Sequence, residues 1–256
     1  TNMITVTFNV RCEWDDYDGI NSFIHRGTMI YEKIKKEKPD IIAFQEVTPE
    51  ILQYFKTICP EYNFFGTFRD ENFCEEGLFI AVRKDKFGLI FLDTFWLSNT
   101  PYVPASRFDC QSIYPRVAVV CEIRELHSNN QYRIVNIHLD HISDEAKILG
   151  LKCALKKIQE YESIKPMSTV LLGDFNSDKN SSTIEYCSSN PYINLFDITA
   201  EIKCTFHNFG KTNTYKIDYI FVSEDIKQHI DSVKIWDDSA NGIYLSDHFP
   251  IEAVIN

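Results

Sequence analysis

Ser168-Thr169-Val170-Leu171-Leu172-Gly173-Asp174-Phe175-Asn176 runs from an apolar stretch straight into a carboxylate and an amide. Val170, Leu171 and Leu172, stopped by a glycine, read as the apolar part of a short strand, Ser168 to Leu172, buried on both faces. Asp174 and Asn176 stand two apart in the turn that follows, so both can face one pocket. Open α/β sheets collect ligands at strand ends. The stretch therefore reads as a central strand of an α/β sheet that delivers two polar groups to one edge.

The same pattern recurs along the chain. Asn9, Glu46, His138, Asp218, and Asp247 with His248 also stand at what read as the carboxyl ends of apolar strands. Taken singly, each is as readily a turn or cap residue. Together they read as one ligand site.

The intervening segments supply the layers. Ile4 to Val10 alternates like a half-buried strand, and Arg26 to Lys38 reads as a helix with Met29, Ile30 and Ile34 on one face. Pro39-Asp40 breaks that helix, and Asp40 to Glu46 is a buried strand. Pro49 opens a second helix, running to about Ile58. Extended segments follow at 62–67, 77–82, 88–97, 115–123 and 132–139, with a long loop from Ser98 to Ser112. Ser143, followed by Asp144 and Glu145, starts a third helix that runs to about Tyr161. Late strands are expected at 215–222, 233–236 and 248–255. Many strands with helices interspersed predict an α/β fold of two packed mixed sheets with helices on the outer faces. No repeat, low-complexity tract or linker divides residues 1–256, so one domain is expected.

Composition narrows the function classes. A net charge of −11 over 256 residues disfavours broad tracking along duplex DNA. The densest basic run, Lys33 to Lys38, lies on a helix that precedes the strand bearing Glu46, and its end points away from the site. Eight cysteines are scattered without a C-x-x-C pair, and several sit in apolar runs such as Val119-Val120-Cys121-Glu122-Ile123. They read as reduced core thiols rather than disulfides or zinc ligands. No run approaches the ~18 apolar residues of a membrane span. The chain reads as cytoplasmic and monomeric, although a removed leader would leave the same picture. Neither a G-x-x-x-x-G-K-[ST] loop nor a G-x-S-x-G elbow is present.

Gln45-Glu46, His138-Leu139, Gly173-Asp174-Phe175-Asn176, Ile217-Asp218-Tyr219 and Ser246-Asp247-His248-Phe249-Pro250 occur in this order across nearly the whole chain. The set resembles the endonuclease/exonuclease/phosphatase superfamily. Phe95-Trp96-Leu97-Ser98 and Pro115-Arg116-Val117-Ala118 look closest to small bacterial members near the deadenylase branch. The resemblance implies a four-layer, DNase I-like α/β sandwich and a metal-dependent phosphoesterase that cuts by in-line attack of water. Mg²⁺, with Mn²⁺ as a substitute, is the implied cofactor, and Asn9, Glu46 and Asp247 are its implied ligands. His138, Asp174, Asn176, Asp218 and His248 are the implied catalytic residues; Arg116, Asn176, His138 and His248 are the implied phosphate contacts.

Asp218 would orient His248 as in other His–Asp pairs. The choice of base between Asp174 and His248 stays open, with Asp174 preferred, and so do the roles of Asp140 and His141. The substrate is a phosphodiester or phosphomonoester, with single-stranded nucleic acid among the candidates. The alternatives are a small-molecule or lipid-headgroup phosphoesterase and an inactive binding protein on the same scaffold. Trp14, Tyr17, Trp96, Tyr102 and Arg107 are expected around the site beside Arg116.

Overall fold

A computed structural model describes residues 2–256. Strands β1 (Met3–Asn9), β2 (Ile41–Val47), β3 (Tyr62–Phe68) and β4 (Gly77–Arg83) belong to a first sheet. The second sheet takes β5 (Phe87–Trp96), β6 (Val117–Glu125), β7 (Gln131–His138), β8 (Ser168–Asp174), β9 (Leu195–Asp197) and β10 (Asp218–Ser223). The chain then returns to the first sheet with β11 (Ile230–Ile235), forms a small hairpin from β12 (Ser239–Ala240) and β13 (Ile243–Tyr244), and ends in β14 (Ile251–Ile255). Strand order is β11-β14-β1-β2-β4-β3 in one sheet and β5-β6-β7-β8-β10-β9 in the other. Each sheet has one parallel pair, β1 with β2 and β7 with β8, and each of those pairs is joined by a helix. That crossover is what parallel neighbours require.

Helices α1 (Phe23–Glu37), α2 (Pro49–Ile58), α3 (Asp144–Ile164) and α4 (Ser182–Ser189) cover the outer faces, and α5 (Glu224–Lys227) is a single turn. Thr48, Ser143 and Ser181 cap α2, α3 and α4 by accepting the backbone N–H three residues on. Three apolar clusters define the layers. Ile80, Val119, Val170, Leu172, Ile220 and Ala253 fill the space between the sheets. Phe8, Phe44, Ile30, Ile34 and Phe55 join the first sheet to α1 and α2. Val135, Leu171, Phe221, Leu151, Leu155 and Ile184 join the second to α3 and α4. The expected four-layer sandwich is the observed one.

Sequence periodicity left α4 and the three-residue β9 unassigned, because both are short and lack a sustained apolar stripe. The strand expected from residue 215 starts at Asp218, and the one expected from 248 starts at Ile251; Tyr215 and His248 instead make isolated bridges to Phe206.

One polar contact crosses the dry interior. Gln45 donates to the Asn136 side chain at 2.9 Å, and Asn136 donates to the Phe44 and Phe79 carbonyls at 2.9 and 3.3 Å. These groups are fully buried. A directional polar clamp between sheets fixes their relative register more tightly than apolar packing alone, although Gln45 Oε1 is left buried without a partner. It lies one residue behind Glu46 on β2 and two behind His138 on β7.

All eight cysteines stand as free thiols, and Cys59, Cys121 and Cys187 are buried. Burial pushes the Cys59 thiol up to about 12 and the other two above their ordinary range. Thiol titration under denaturing, non-reducing conditions is expected to count close to eight, with no change of Tm on adding reductant. A count near zero would overturn this reading.

Candidate active site

The site lies where the edges of the two sheets meet. In the second sheet, His138 pairs in register with Asp174, and Asp174 with Asp218, so three adjacent strands present a row of His, Asp and Asp. In the first sheet, Asn9 ends β1 beside β2, which carries Glu46. Asp247 and His248 reach the same edge from the segment before β14. One expectation needs correction here. Asp218, Asp247 and His248 stand at the amino ends of antiparallel strands, not at carboxyl ends. The edge is shared; the strand direction is not.

Local backbone makes these placements. Gly173 has φ +145°, and a Cβ there would lie 1.9 Å from the Ile137 carbonyl oxygen on β7. Only glycine lets β7 and β8 run this close just before Asp174. Glu46 has φ 62° at a register shift between β2 and β4, and Asn176 has φ 47°. Left-handed backbone at non-glycine residues costs energy and collects at functional sites. Behind the loops, buried Arg26 donates to the carbonyls of Val10, Leu245, Asn21 and Arg11, tying together the segments that carry Asn9 and Asp247.

Asp174 is the hub. Its Oδ2 accepts from Asn9 Nδ2 at 3.0 Å and lies 3.3 Å from His138 Nε2 and 3.7 Å from His248 Nε2; its Oδ1 accepts from the Asn176 backbone N–H at 3.0 Å. Burial opposes its charge, but His138, His248 and these hydrogen bonds win and hold it well below the usual carboxylate range. His248 Nδ1 is 2.8 Å from Asp218 Oδ2. Burial works against the imidazolium, yet Asp218, Asp247 and Asp174 together raise its pKa well above the ordinary histidine value.

Glu46 Oε2 accepts from Asn9 Nδ2 at 2.7 Å and Oε1 from the Cys12 N–H at 3.2 Å. Asn9 therefore bridges the Glu46 and Asp174 carboxylates, while its own oxygen accepts from the Arg11 N–H at 3.0 Å. Ligand atoms of Glu46, His138 and Asp174 lie within 4.8 Å of one another, as do those of Asp174, Asp218 and His248. Cys12, Glu46 and Glu76 form a third such triplet; Asp247 faces the same cavity without joining any of the three among the described residues, and it accepts from Ser246 Oγ at 3.1 Å. Asn176 lines the cavity with its amide donating to the Leu139 carbonyl at 2.9 Å.

The cavity measures about 900 Å³. Arg116 lines it, with NH2 3.3 Å from His141 Nδ1. Asp140, left open by the sequence, is a structural residue: it accepts from the Ser112 hydroxyl and from the Ser143 N–H at the start of α3. Of the expected neighbours, Tyr17 lines the cavity and the others do not. Trp14 stacks on Phe23, Trp96 is buried and donates to the Arg69 carbonyl, Tyr102 packs beside Lys157 of α3, and Arg107 donates to the Ser112 carbonyl. Their places are taken by Tyr114, Phe206 and Phe209.

Glu76 and Arg69 were missed altogether. They pair at 2.9 Å, and both line the cavity. Glu76 precedes a strand instead of ending one, and Arg69 opens the charged run Arg69-Asp70-Glu71-Asn72, which reads as solvated loop. Burial, then the charge of Glu46, pushes the Glu76 pKa up.

His207 supports the loop that carries Phe206 and Phe209. It stacks on Phe249 at 3.9 Å, and its Nδ1 accepts from the Gly210 N–H at 2.9 Å. Burial, helped by the charge of His248, lowers its pKa to about 4 from an ordinary 6.5. The unfolded imidazole gains its proton first as pH falls, so this stability is complete above 6.5 and is lost between 6.5 and 4. Each proton of difference is worth about 1.4 kcal/mol per pH unit. Denaturant unfolding across that window is expected to show a shallower acid slope in His207→Phe; an unchanged slope would rule the assignment out.

A cluster of carboxylates and imidazoles at the joined edges of a two-sheet α/β sandwich defines a DNase I-like hydrolase scaffold. Residues 6–248 match the Endonuclease/Exonuclease/phosphatase family, and the chain belongs to it; members of that family hydrolyse phosphoesters. An uncharacterized protein of Acanthamoeba polyphaga mimivirus is 26% identical over 92% of each chain. The CCR4-Not complex 3'-5'-exoribonuclease subunit Ccr4 of Kluyveromyces lactis is 23% identical over 66% of this chain and 25% of its own length. Among solved structures, an endonuclease/exonuclease/phosphatase from Bacteroides vulgatus has a TM-score of 0.91 at 27% identity, covering 100% and 99% of the two chains. A mannosyl-6-phosphatase of Bacteroides thetaiotaomicron has a TM-score of 0.88 at 24% identity, covering 99% and 100%. Bacterial family members are thus the near relatives and deadenylases the distant ones. Among the described residues no helix is long and apolar enough to cross a membrane.

Proposed function

We propose that the protein is a divalent-metal-dependent phosphoesterase acting on a small phosphoester or a short single strand by in-line attack of water. The observation that carries this reading is the Asp174 carboxylate, bonded to Asn9 and within 3.3 Å and 3.7 Å of two imidazoles, beside Glu46. The donor set suits a hard cation: Glu46 offers carboxylate oxygen, and the other carboxylates around the cavity leave an excess of negative charge. Mg²⁺, or Mn²⁺ in its place, prefers few carboxylates and keeps water for substrate to displace. When bound, such an ion would supply charge neutralisation at the phosphate and the leaving oxygen.

The chain's own residues do the rest. Asp174, held anionic by donors on both oxygens, chiefly orients the attacking water; so weak a base receives the proton only late, when the forming bond to phosphorus has made it strongly acidic. His248, kept cationic by Asp218, and His138 neutralise charge on the phosphate oxygens, and Asn176 and Arg116 complete the donor ring. Asn9 spaces Glu46 from Asp174, and Asp247 contributes charge to the cation side. No residue is placed as a covalent nucleophile.

Within that class, nuclease action on single strands is favoured by Phe206 and Phe209 on the cavity wall, where bases can stack. The test is a screen of purified protein with Mg²⁺ or Mn²⁺ against phosphomonoesters, small phosphodiesters, single-stranded RNA and DNA, and duplex DNA. Metal-dependent turnover of a small or single-stranded substrate is expected, with little competition from duplex at any salt. Duplex cleaved fastest, or inhibition by duplex with a slope near −0.9 per phosphate neutralised, would overturn the substrate class. Absence of turnover across the panel would favour the inactive binding protein.

A further inference from the structure

Four arginines are buried in this protein, and they divide into two kinds. Arg26 gives its donors to four backbone carbonyls. Arg133 meets Glu122, Glu162, Thr169 and the Lys165 carbonyl. Both are structural and satisfied. Arg69 and Arg116 are 8% and 5% exposed, yet Arg69 Nε and Arg116 Nε and NH1 are buried with no hydrogen-bond partner. Both line the cavity beside the reaction centre. Buried donors are ordinarily paired, so unpaired guanidinium N–H groups on two residues that line a cavity call for a partner.

The geometry favours an anion. Arg69 is held flat by Glu76 at 2.9 Å and by the Tyr114 ring, 4.4 Å from its Cζ. Among the described residues Arg116 has no ion-pair partner; its one side-chain hydrogen-bond partner is His141, a neutral acceptor in that geometry. Burial, and then the charge of Arg69, lowers the Arg116 pKa, so Arg116 sits desolvated beside a like charge that an anion would offset. Two planar forks that keep unpaired N–H groups match phosphate oxygens better than a single cation would. Arg69, Arg116 and Asp174 line the same cavity, so the two arginines share the space in which Asp174 would meet the scissile phosphate.

We propose that Arg69 and Arg116 form an anion subsite contiguous with the reaction centre, which selects substrates carrying a second phosphate-borne negative charge. That charge is either the extra one of a phosphomonoester dianion or that of a second phosphate one linkage away. The inference rests on the phosphoesterase reading for its substrate class, but its binding half stands without turnover.

Two measurements test it. The first is orthophosphate binding, by calorimetry in chelator, to the wild type, to Arg69→Gln/Glu76→Gln, which removes both members of the ion pair, and to Arg116→Gln. The second is the kcat/KM ratio for three substrates in the same proteins: a sugar phosphomonoester, a dinucleotide with a 5'-phosphate, and the same dinucleotide without it. Loss of charge-assisted donors is expected to weaken phosphate binding at least ~10-fold. The preference for the doubly charged substrate should fall by a similar factor. Collapse of the phosphomonoester preference identifies the dianion as the recognised group; collapse of the 5'-phosphate preference identifies the neighbouring phosphate. Unchanged phosphate affinity with unchanged ratios would overturn the subsite, as would a wild type that binds no phosphate. Should the double variant fail to fold, Arg116→Gln keeps the Arg69–Glu76 pair and reads the same loss. Phosphate binding that depends on Arg69 without any turnover would sink the phosphoesterase reading and leave the subsite standing.

Discussion

Glu46→Gln is expected to lower kcat/KM more than about 10²-fold and to raise the Mg²⁺ concentration needed for half-maximal activity, while Tm changes little. Changes in groups that merely support a metal ligand cost 10–100-fold, so loss of a ligand charge should cost more. Glutamine keeps the side chain's shape and one carbonyl oxygen. It also turns one of the two acceptor positions into a donor, facing either Asn9 Nδ2 at 2.7 Å or the Cys12 N–H at 3.2 Å. That mismatch is local to the loop edge and does not reach the clamp between Gln45 and Asn136. The check is a metal titration of turnover with a parallel melting curve. Full activity of the variant in chelator would remove the metal mechanism. A wild type equally inert with and without Mg²⁺ would favour the binding-protein alternative.

Much of this arrangement is legible in the sequence because strand ends bear a cost that the rest of a strand does not. Asp174, His138, Glu46 and Asn9 are polar groups attached to apolar runs, and burying them without partners would cost several kcal/mol. Such residues announce a site. Arg69 and Glu76 were illegible for the opposite reason: they sit in a polar loop, where charge is cheap, and only the fold turns that loop inward. Strand direction was misjudged at Asp218 and His248 because periodicity marks a strand without telling which end meets the site. Only the pairing of β8 with β10, Asp218 opposite Asp174, decides that. The aromatic wall was misassigned to Trp96 and Tyr102 because side-chain size does not reveal which face of a sheet or loop is wet. Trp96 fills the core, and Tyr102 reaches Asp93 on the outer side.

Asp218 and His248 are expected to behave as one unit. Their contact, Oδ2 to Nδ1 at 2.8 Å, is buried, and it crosses from a strand of the second sheet to the segment leading into a strand of the first. Holding Nδ1 fixes the ring so that Nε2 points toward Asp174, 3.7 Å away. Asp218 does not line the cavity, and its other side-chain hydrogen bond is to Thr205, so its effect is expected to pass through the imidazole. Asp218→Asn would leave an amide facing Nδ1 and permit the wrong tautomer, and His248→Ala would leave the Asp218 carboxylate buried without its cation. Each change is expected to cost ~10²–10⁴-fold in kcat, the range ordinary for a positioned proton-transfer or charge-stabilising group. The double variant should cost little more than the worse single, because a group that acts only through its partner has nothing left to lose. Asp218→Glu, which retains the charge at the wrong length, should recover part of the loss in kcat with little change in KM. The measurement is a double-mutant cycle on kcat with melting curves for all variants. Losses that multiply independently would show that Asp218 serves the fold and not the histidine.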